Sequence, residues 1–294
     1  MQELVVISGK GGTGKTSLTA AFIALSKKTI ICDADVDAAD LHLLMAPAIQ
    51  HRYDFTGGGL AEINREKCTG CGLCRTLCRF GAIDENYGVD PIDCEGCGVC
   101  VDLCPEQAID FPVQTCGEWF ISDTRFGPMV HAKLGIAEEN SGKLVSLIRR
   151  KTKELAGEKG LDLIMTDGPP GIGCPVIAAI GGASVLLIVT EPSVSGRHDM
   201  ARVADLATHF NVPAAVCINK FDLNLDQSTA IETMAAERQM PVVGRIPFDP
   251  VFTASMVRGQ TVFEYDGNSE AASAVRHMWK ILKTLPAMKY EVGG

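Results

Sequence analysis

One eight-residue stretch near the start of the chain restricts its possible folds more than any other feature. Residues 9–16 read Gly-Lys-Gly-Gly-Thr-Gly-Lys-Thr, between an apolar run at residues 4–8 and a helical pattern at residues 15–26. This spacing fits G-x-x-x-x-G-K-[ST] in the strand–loop–helix context that the motif requires. Its glycines allow successive backbone N–H groups to point inward, and the start of the helix adds partial positive charge. The stretch therefore predicts a loop that binds the phosphate groups of a nucleotide.

The residue types in this loop predict how a nucleoside triphosphate and Mg²⁺ are held. Lys15 is expected to reach the β- and γ-phosphates, and the hydroxyl group of Thr16 to ligate the metal ion. A glycine-rich turn without a ligand is the weaker interpretation, because the strand and the helix on both sides match the motif. The residues predicted to contact ATP in this loop are Gly9, Lys10, Gly11, Gly12, Thr13, Gly14, Lys15, Thr16 and Ser17.

Apolar runs and helical stretches alternate along most of the chain. The runs that predict buried strands are residues 4–8, 29–32, 161–166, 185–190, 214–219 and 242–246. The stretches that predict helices are residues 15–26, 197–209, 226–238 and 269–285. Buried apolar strands that alternate with helices are typical of a doubly wound, mostly parallel α/β sheet.

The composition limits the kinds of partner. The 294 residues are 46% hydrophobic, which is enough for one α/β domain with a core and a smaller second domain. The formal net charge of −9 argues against general nucleic-acid binding, which needs a basic face. No apolar run approaches the roughly 20 residues that cross a bilayer, and the first run leads directly into the glycine-rich loop. We therefore expect a cytoplasmic protein without stable membrane insertion.

Eight of the twelve cysteines lie in one acidic segment, residues 62–112, which holds ten Asp or Glu and four Lys or Arg. The spacing C-x₂-C-x₂-C-x₃-C occurs twice there with an offset of 26 residues, which indicates a duplicated half-module. The segment also interrupts the alternation of strands and helices. We expect a nucleotide-binding domain formed by residues 1–61 and 113–294, with a small α+β ferredoxin-like domain inserted at residues 62–112.

The cysteine spacing predicts two [4Fe–4S] clusters, each held by three thiolates of one repeat and the fourth thiolate of the other. The predicted ligands of the first cluster are Cys68, Cys71, Cys74 and Cys104, and those of the second are Cys78, Cys94, Cys97 and Cys100. Zinc is the weaker alternative, because zinc sites rarely use eight cysteines in a crossed repeat. A structural role for the clusters stays open, because metal binding also stabilises small domains.

A second lysine, Lys10, directly follows the first glycine of the loop. This arrangement resembles the deviant Walker A loop of the MinD/ParA/Mrp group of P-loop ATPases, to which nitrogenase iron protein is similar. The resemblance implies a homodimer with ATP at its interface, in which Lys10 reaches the partner's nucleotide as an arginine finger does. With the cysteine repeats, nearly the whole chain, including residues 138–145, resembles the members of this superfamily that contain an inserted ferredoxin domain.

The same resemblance implies roles for residues that follow predicted strands. Asp35 is expected to orient or activate the attacking water, so that Lys10, Lys15 and Asp35 are the expected catalytic residues. Asp33 and Asp167 are expected to hold Mg²⁺ together with Thr16. The residues that the resemblance implies for adenine binding are Asn219, Pro247, Phe248 and Asp249. The letters N-K-F-D at residues 219–222 also fit the guanine-reading motif of GTPases, so GTP remains an alternative.

Three functions are open at this point. The first, ranked narrowly above the second, is an ATP-gated redox protein that couples the nucleotide cycle to electron transfer with an unknown donor or acceptor. The second is a carrier that hands an iron–sulfur cluster or a metal to an apo-target protein, with Cys174 as a candidate ligand. The third is a positioning switch like MinD or ParA. The amphipathic stretch at residues 276–283 is compatible with a membrane-surface helix, but Pro286 beyond it favours a core helix.

Overall fold

The structure, a computed structural model, describes residues 1–135 and 141–288. Its strands are β1 (Gln2–Ser8), β2 (Thr29–Asp33), β3 (Ala48–Gly59), β4 (Glu62–Ile63), β5 (Ile109–Asp110), β6 (Val113–Thr124), β7 (Gly127–Leu134), β8 (Leu163–Pro170), β9 (Val185–Thr190), β10 (Ala214–Asn219) and β11 (Val242–Ile246). Its helices are α1 (Lys15–Leu25), α2 (Leu41–Met45), α3 (Leu73–Leu77), α4 (Val99–Asp102), α5 (Ser141–Glu158), α6 (Cys174–Ile180), α7 (Val194–His209), α8 (Leu225–Glu237), α9 (Val251–Val257), α10 (Val262–Asp266) and α11 (Glu270–Leu282). Short 3₁₀ turns lie at Phe221–Leu223 and Pro286–Met288.

Nine strands form one sheet in the order β11-β10-β9-β1-β8-β2-β7-β6-β3. The pairs from β11 to β7 are parallel. These central strands are apolar and buried on both faces, as β9 is along its whole length, which is what helices on both sides of a parallel sheet require. The carboxyl ends of β1, β2 and β8 consequently meet at one edge, where ligands bind in open α/β sheets.

The predicted α/β class with a mostly parallel sheet is confirmed. All six predicted strands are present, although the run predicted at residues 161–166 becomes the longer strand β8, which ends at Pro170. Strands β3, β6 and β7 were not predicted. The residues 138–140 that contributed to the family resemblance lie outside the described part of the chain, and α5 begins at Ser141.

Helix α11 is a core helix, as the sequence favoured. Its apolar face joins the central hydrophobic core, and the ring of Trp279 lies 5.5 Å from the ring of Phe22 on α1. Residues Ala271, Ala272, Val275, Met278 and Leu282 of the same face are also buried. Within the described residues, none of the helices is both long enough and apolar enough to cross a membrane.

The chain divides into two compact units. The first comprises Met1–Arg52, Trp119–Lys133 and Gly142–Gly294, and the second comprises Tyr53–Glu118 and Leu134–Ser141. In the second unit, β4 and β5 pair antiparallel, and the short helices α3 and α4 each follow a glycine with positive φ, 78° at Gly72 and 73° at Gly98. These glycines are 26 residues apart, so the repeat in the sequence is also a repeat in backbone conformation.

Residues 57–59, three consecutive glycines, form the end of strand β3. Packing within the second unit explains the glycine at position 59. A Cβ atom on Gly59 would lie 2.7 Å from the ring of Phe111, and a Cβ atom on Gly96 would lie 2.9 Å from the carbonyl oxygen of Gly59. Glycine is used in this strand for the close approach of its neighbours.

A buried ion pair lies in the first unit at the start of β1, at the opposite end of that strand from the glycine-rich loop. The guanidinium group of Arg149 donates to both carboxylate oxygens of Glu3, at 2.9 and 2.6 Å, and to the carbonyl oxygens of Ala178 and Gly181. Glu3 is 3% exposed and Arg149 is 6% exposed. The pair therefore joins β1, α5 and the end of α6 with every partner satisfied.

Replacing Arg149 with alanine is expected to lower the free energy of unfolding by about 3–5 kcal/mol, because it leaves the carboxylate of Glu3 buried with Lys153 as its remaining cation. Denaturant titration of both proteins measures the difference. The neighbouring Arg150 is exposed, and its replacement by alanine should cost no more than about 0.5 kcal/mol. Equal effects of the two substitutions would contradict this assignment.

Candidate functional site

The glycine-rich loop lies between β1 and α1, at the carboxyl edge of the sheet. Gly12 and Gly14 have φ angles of 78° and 88°, a conformation that side chains rarely permit. Lys15 begins α1 and is only 6% exposed, so its ammonium group points into the protein rather than into solvent. The loop thus has the backbone and the buried cation that a phosphate site requires.

Three carboxylates surround Lys15 at the carboxyl edge of the neighbouring strands β2 and β8. They belong to Asp33, Asp35 and Asp167. The ammonium group of Lys15 donates to Asp35 Oδ2 and Asp167 Oδ1, each at 3.1 Å. Asp167 also accepts hydrogen bonds from the hydroxyl groups of Thr16 at 2.7 Å and Thr19 at 2.9 Å. Lys15 is therefore the counter-ion of this carboxylate cluster.

The pKa values of the cluster reflect its burial and its excess of negative charge. Burial and the neighbouring Asp167 carboxylate raise the pKa of Asp33 well above its usual value. Burial also raises the pKa of Asp35, although Lys15 opposes the shift. Burial alone would lower the pKa of Lys15, but the three carboxylates outweigh it and raise that pKa. Three carboxylates face a single ammonium group, so the cluster has an excess of negative charge. Such an excess favours the binding of a divalent cation.

The residues predicted for Mg²⁺ fit an oxygen-coordinated ion. Asp33 Oδ2 is buried and has no hydrogen-bond partner among the described residues. A buried carboxylate oxygen without a partner is costly unless a ligand or metal supplies one. With Thr16 and Asp167 beside it, the donor set consists of hard oxygen atoms, which Mg²⁺ prefers.

A cavity of about 160 Å³ adjoins the loop on its other side. It is lined by residues of the loop and of α1, by residues at the ends of β10 and β11, and by residues of α9. Its lining residues include Gly12, Gly14, Ser17, Asn219, Lys220, Pro247, Phe248, Asp249, Phe252 and Met256. All four residues that the family resemblance implied for base binding thus face one cavity beside the predicted phosphate site.

Hydrogen bonds hold the walls of this cavity. The side-chain amide of Asn219 donates to the carbonyl oxygen of Thr13 at 2.7 Å and so fastens the end of β10 to the loop. Asp222 Oδ1 accepts the backbone N–H of Phe248 at 2.7 Å. In the N-K-x-D pattern of GTPases the aspartate reads guanine, whereas here one of its oxygens is already used by the protein.

Some residues of the site were missed by the sequence analysis. Glu191, directly after β9, forms ion pairs with Lys10 and with Lys220. Its position at the carboxyl end of a central strand is the signal that points to it. Thr19 lies one turn after Lys15 on α1, and that helical spacing predicts a shared face.

The cysteines of the second unit also converge. A cavity of about 20 Å³ is lined by Cys68, Cys71 and Cys74 of the first repeat and by Cys104 of the second. Burial and the neighbouring Cys68 and Cys71 raise the pKa of Cys74. Within residues 1–135 and 141–288, no three His, Cys, Asp or Glu side chains are placed to hold a single metal ion. A four-iron cluster differs from a single ion, because each thiolate binds a different iron atom.

The four cysteines outside the repeats are not alike. Cys32, Cys116 and Cys217 are buried, whereas Cys174 is exposed. Cys174 begins α6, and a Cβ atom on Gly142 of α5 would lie 3.2 Å from its Cβ atom. His131 is a packed histidine: it is buried, stacks on Phe120 and forms a 2.9 Å hydrogen bond with Ser122.

The fold and the phosphate loop define a nucleotide-binding α/β protein. The chain belongs to the CobQ/CobB/MinD/ParA nucleotide binding domain family, which it matches over residues 4–262. An uncharacterized protein of Methanocaldococcus jannaschii is 28% identical over 286 residues, covering 96% of this chain and 97% of that protein. The septum site-determining protein MinD of Synechocystis is 25% identical over 272 residues, covering 87% of this chain and 80% of that protein.

A solved structure shares the fold. The septum site-determining protein MinD of Pyrococcus horikoshii, complexed with Mg-ADP, has a TM-score of 0.61 and 18% identity, with 99% of each chain covered. The MinD-like α/β architecture expected from the sequence is therefore confirmed.

Proposed function

We propose that this protein is an ATP-dependent switch of the MinD/ParA type, which binds MgATP, pairs with a second copy of itself and hydrolyses ATP slowly. One observation carries the proposal. The buried ammonium group of Lys15 lies 3.1 Å from both Asp35 and Asp167, directly behind a phosphate-binding loop. Such a cluster of charge at the carboxyl edge of the sheet is suited to a metal-bound triphosphate.

The side chains of the cluster have separate proposed roles in hydrolysis. Thr16, Asp33 and Asp167 would hold Mg²⁺, which when bound neutralises negative charge on the phosphates. Lys15 would exchange its carboxylate partners for the β- and γ-phosphates. Asp35 would orient the attacking water and accept its proton, and the raised pKa that burial gives this carboxyl suits a general base.

The proposed nucleotide is ATP rather than GTP. The cavity beside the loop is bounded by Asn219 and Phe248, which supports binding of a purine base. The hydrogen bond from the Phe248 N–H to Asp222 disfavours guanine, because the carboxylate that would read that base is engaged. A competition assay with the two triphosphates distinguishes them.

Lys10 supplies the test of the dimer. In the proposed switch its ammonium group crosses to the partner's nucleotide, so replacing Lys10 with alanine should leave ATP binding to the single chain intact. Turnover should fall by about 10³-fold or more, as for loss of a finger residue supplied in trans. Light scattering with a non-hydrolysable ATP analogue measures pairing, and phosphate release measures turnover.

The matched control for this substitution is Lys280, an exposed lysine of α11, whose replacement by alanine should change neither quantity. A Lys10→Ala protein that dimerises and hydrolyses ATP like the wild type would contradict the role in trans. A wild-type protein that binds the analogue and stays monomeric would contradict the switch itself.

A second candidate function concerns the cysteine repeats, which we propose hold two [4Fe–4S] clusters. The observation that favours it is the cavity that Cys104 of the second repeat shares with Cys68, Cys71 and Cys74 of the first. This grouping is the crossed ligand set expected for one cluster. Residues 62–112 are acidic and hold few lysines and arginines, and their backbone conformation is duplicated. Both features are compatible with a ferredoxin-like module.

The clusters would add an output to the switch, either electron transfer to a partner or transfer of a cluster to an apo-target. The similarity to MinD favours the ATP-dependent switch as the primary function. Electron transfer or cluster transfer would then be a secondary function. The exposed thiol of Cys174 supports a ligand role at an interface between two copies, which the carrier hypothesis requires.

A further inference from the structure

Glu191 is a charged residue beside the phosphate loop to which the proposed reaction assigns no role. It follows β9 and precedes α7, and its side chain is 21% exposed. One carboxylate oxygen pairs with the ammonium group of Lys10, and the other lies 3.5 Å from the ammonium group of Lys220. A single carboxylate thus serves two lysines from distant parts of the chain.

Both lysines connect Glu191 to the nucleotide site. Lys10 belongs to the phosphate loop, and its ammonium group also lies 3.4 Å from the hydroxyl oxygen of Ser195 on α7. Lys220 follows β10 and donates to the carbonyl oxygen of Gly12, in the same loop, at 3.3 Å. Glu191 therefore connects the loop with the start of α7 and with Lys220, which lines the cavity beside the loop.

The pairing holds at neutral pH. Burial alone would raise the pKa of Glu191, but its hydrogen bonds and ion pairs with Lys10 and Lys220 outweigh burial and lower that pKa. The carboxylate consequently remains ionised under physiological conditions, and both lysines retain a counter-ion on their own subunit.

The ammonium group of Lys10 cannot serve two partners in different subunits at once. When it pairs with Glu191, it is unavailable to a nucleotide bound to another copy. A triphosphate carries more negative charge than one carboxylate, so a second copy with bound ATP competes for this lysine. The apparent affinity of such a pairing falls by the fraction of molecules in which the lysine is released.

We propose that Glu191 is a positioning residue that retains Lys10 on its own subunit and thereby sets the ATP concentration at which two copies pair. This inference rests on the proposed ATP-dependent dimer. In this role Glu191 acts through Lys10 and has no part of its own in hydrolysis. It delays pairing until both copies carry ATP.

Glu191→Gln is the direct test, since it keeps the size of the side chain and removes its charge. Half-maximal dimerisation should occur at about three- to tenfold lower concentration of a non-hydrolysable ATP analogue than in the wild type. Glu191→Asp, which keeps the charge, should return the midpoint toward the wild-type value. The matched control is Glu154→Gln, which removes an exposed carboxylate that pairs with Lys151 on α5 and should leave the midpoint unchanged.

Ionic strength provides a second readout that loss of structure would not reproduce. Partly exposed ion pairs weaken as salt screens them, so the wild-type midpoint should approach that of Glu191→Gln as salt increases. An equal or higher midpoint for Glu191→Gln at low salt overturns the retention role of Glu191. Absence of any wild-type dimer at saturating analogue overturns instead the proposed switch on which the inference rests.

Discussion

Replacing Lys15 with alanine is expected to lower the rate of ATP hydrolysis by at least about 10²–10³-fold, because it removes a preorganised charge from the site where phosphate charge develops. The ammonium group already lies in this site, 3.1 Å from Asp35 and from Asp167. Phosphate release at saturating ATP measures the loss. Lys151→Ala, at a half-exposed lysine of α5, is the matched control and should retain full turnover. A Lys15→Ala protein with wild-type turnover would refute the phosphate site.

The same substitution should make the stability of the nucleotide-free protein depend on pH. Lys15 opposes the upward shift that burial imposes on the pKa values of Asp33 and Asp35, so its removal raises both further. A carboxyl group whose pKa is higher in the folded state stabilises the fold when protonated, and that stability is lost as pH rises through the folded-state pKa. Denaturation at about pH 5.5 and about pH 8 should therefore show the larger loss at the higher pH. Equal losses would contradict this electrostatic explanation.

The central sheet was predictable because its strands are buried on both faces and therefore appear as continuous apolar runs. Strand β9, with every residue buried, is the clearest case. Strand β3 gives no such signal, since its first seven residues are exposed and its last three are glycines. Strand β6 mixes exposed, half-buried and buried positions and so has no long buried run. Strands β6 and β3 are the last two strands at one edge of the sheet, where many side chains are not buried.

The position of the glycine-rich loop between a strand and a helix was predictable because its motif is contained in eight consecutive residues. The convergence of Lys15 with Asp167 was not visible in local sequence and came from the family resemblance, because 152 positions separate them and only the pairing of β1 with β8 brings them together. Glu191 carries even less signal. A single carboxylate after a strand has many uses, and its partners Lys10 and Lys220 come from separate segments.

The cysteine repeats give a strong local signal, because their spacing is regular and occurs twice. Spacing predicted that Cys104 joins the first repeat, and Cys104 lines one cavity with Cys68, Cys71 and Cys74. The grouping of these four thiolates as ligands stays a prediction. The iron content of the wild type and of paired cysteine variants tests whether these thiolates bind iron–sulfur clusters.

Anaerobically prepared wild-type protein should contain about eight iron atoms per chain, and Cys104→Ala should contain about four, because each cluster needs four thiolates. The crossed arrangement is tested by two double variants. Cys68→Ala with Cys104→Ala removes two ligands of one cluster and should retain about four iron atoms. Cys68→Ala with Cys78→Ala removes one ligand of each cluster and should retain almost none.

An uncrossed arrangement reverses these two results, because Cys68 and Cys78 then belong to the same cluster and Cys104 belongs to the other. The matched control is Cys217→Ala, a buried cysteine of β10 in the first unit, which should keep all eight iron atoms. Protein that is colourless and free of iron would refute the clusters, and it would leave the ATP-dependent switch untouched. The nucleotide site and the cysteine site draw on separate residues, so each can fail without the other.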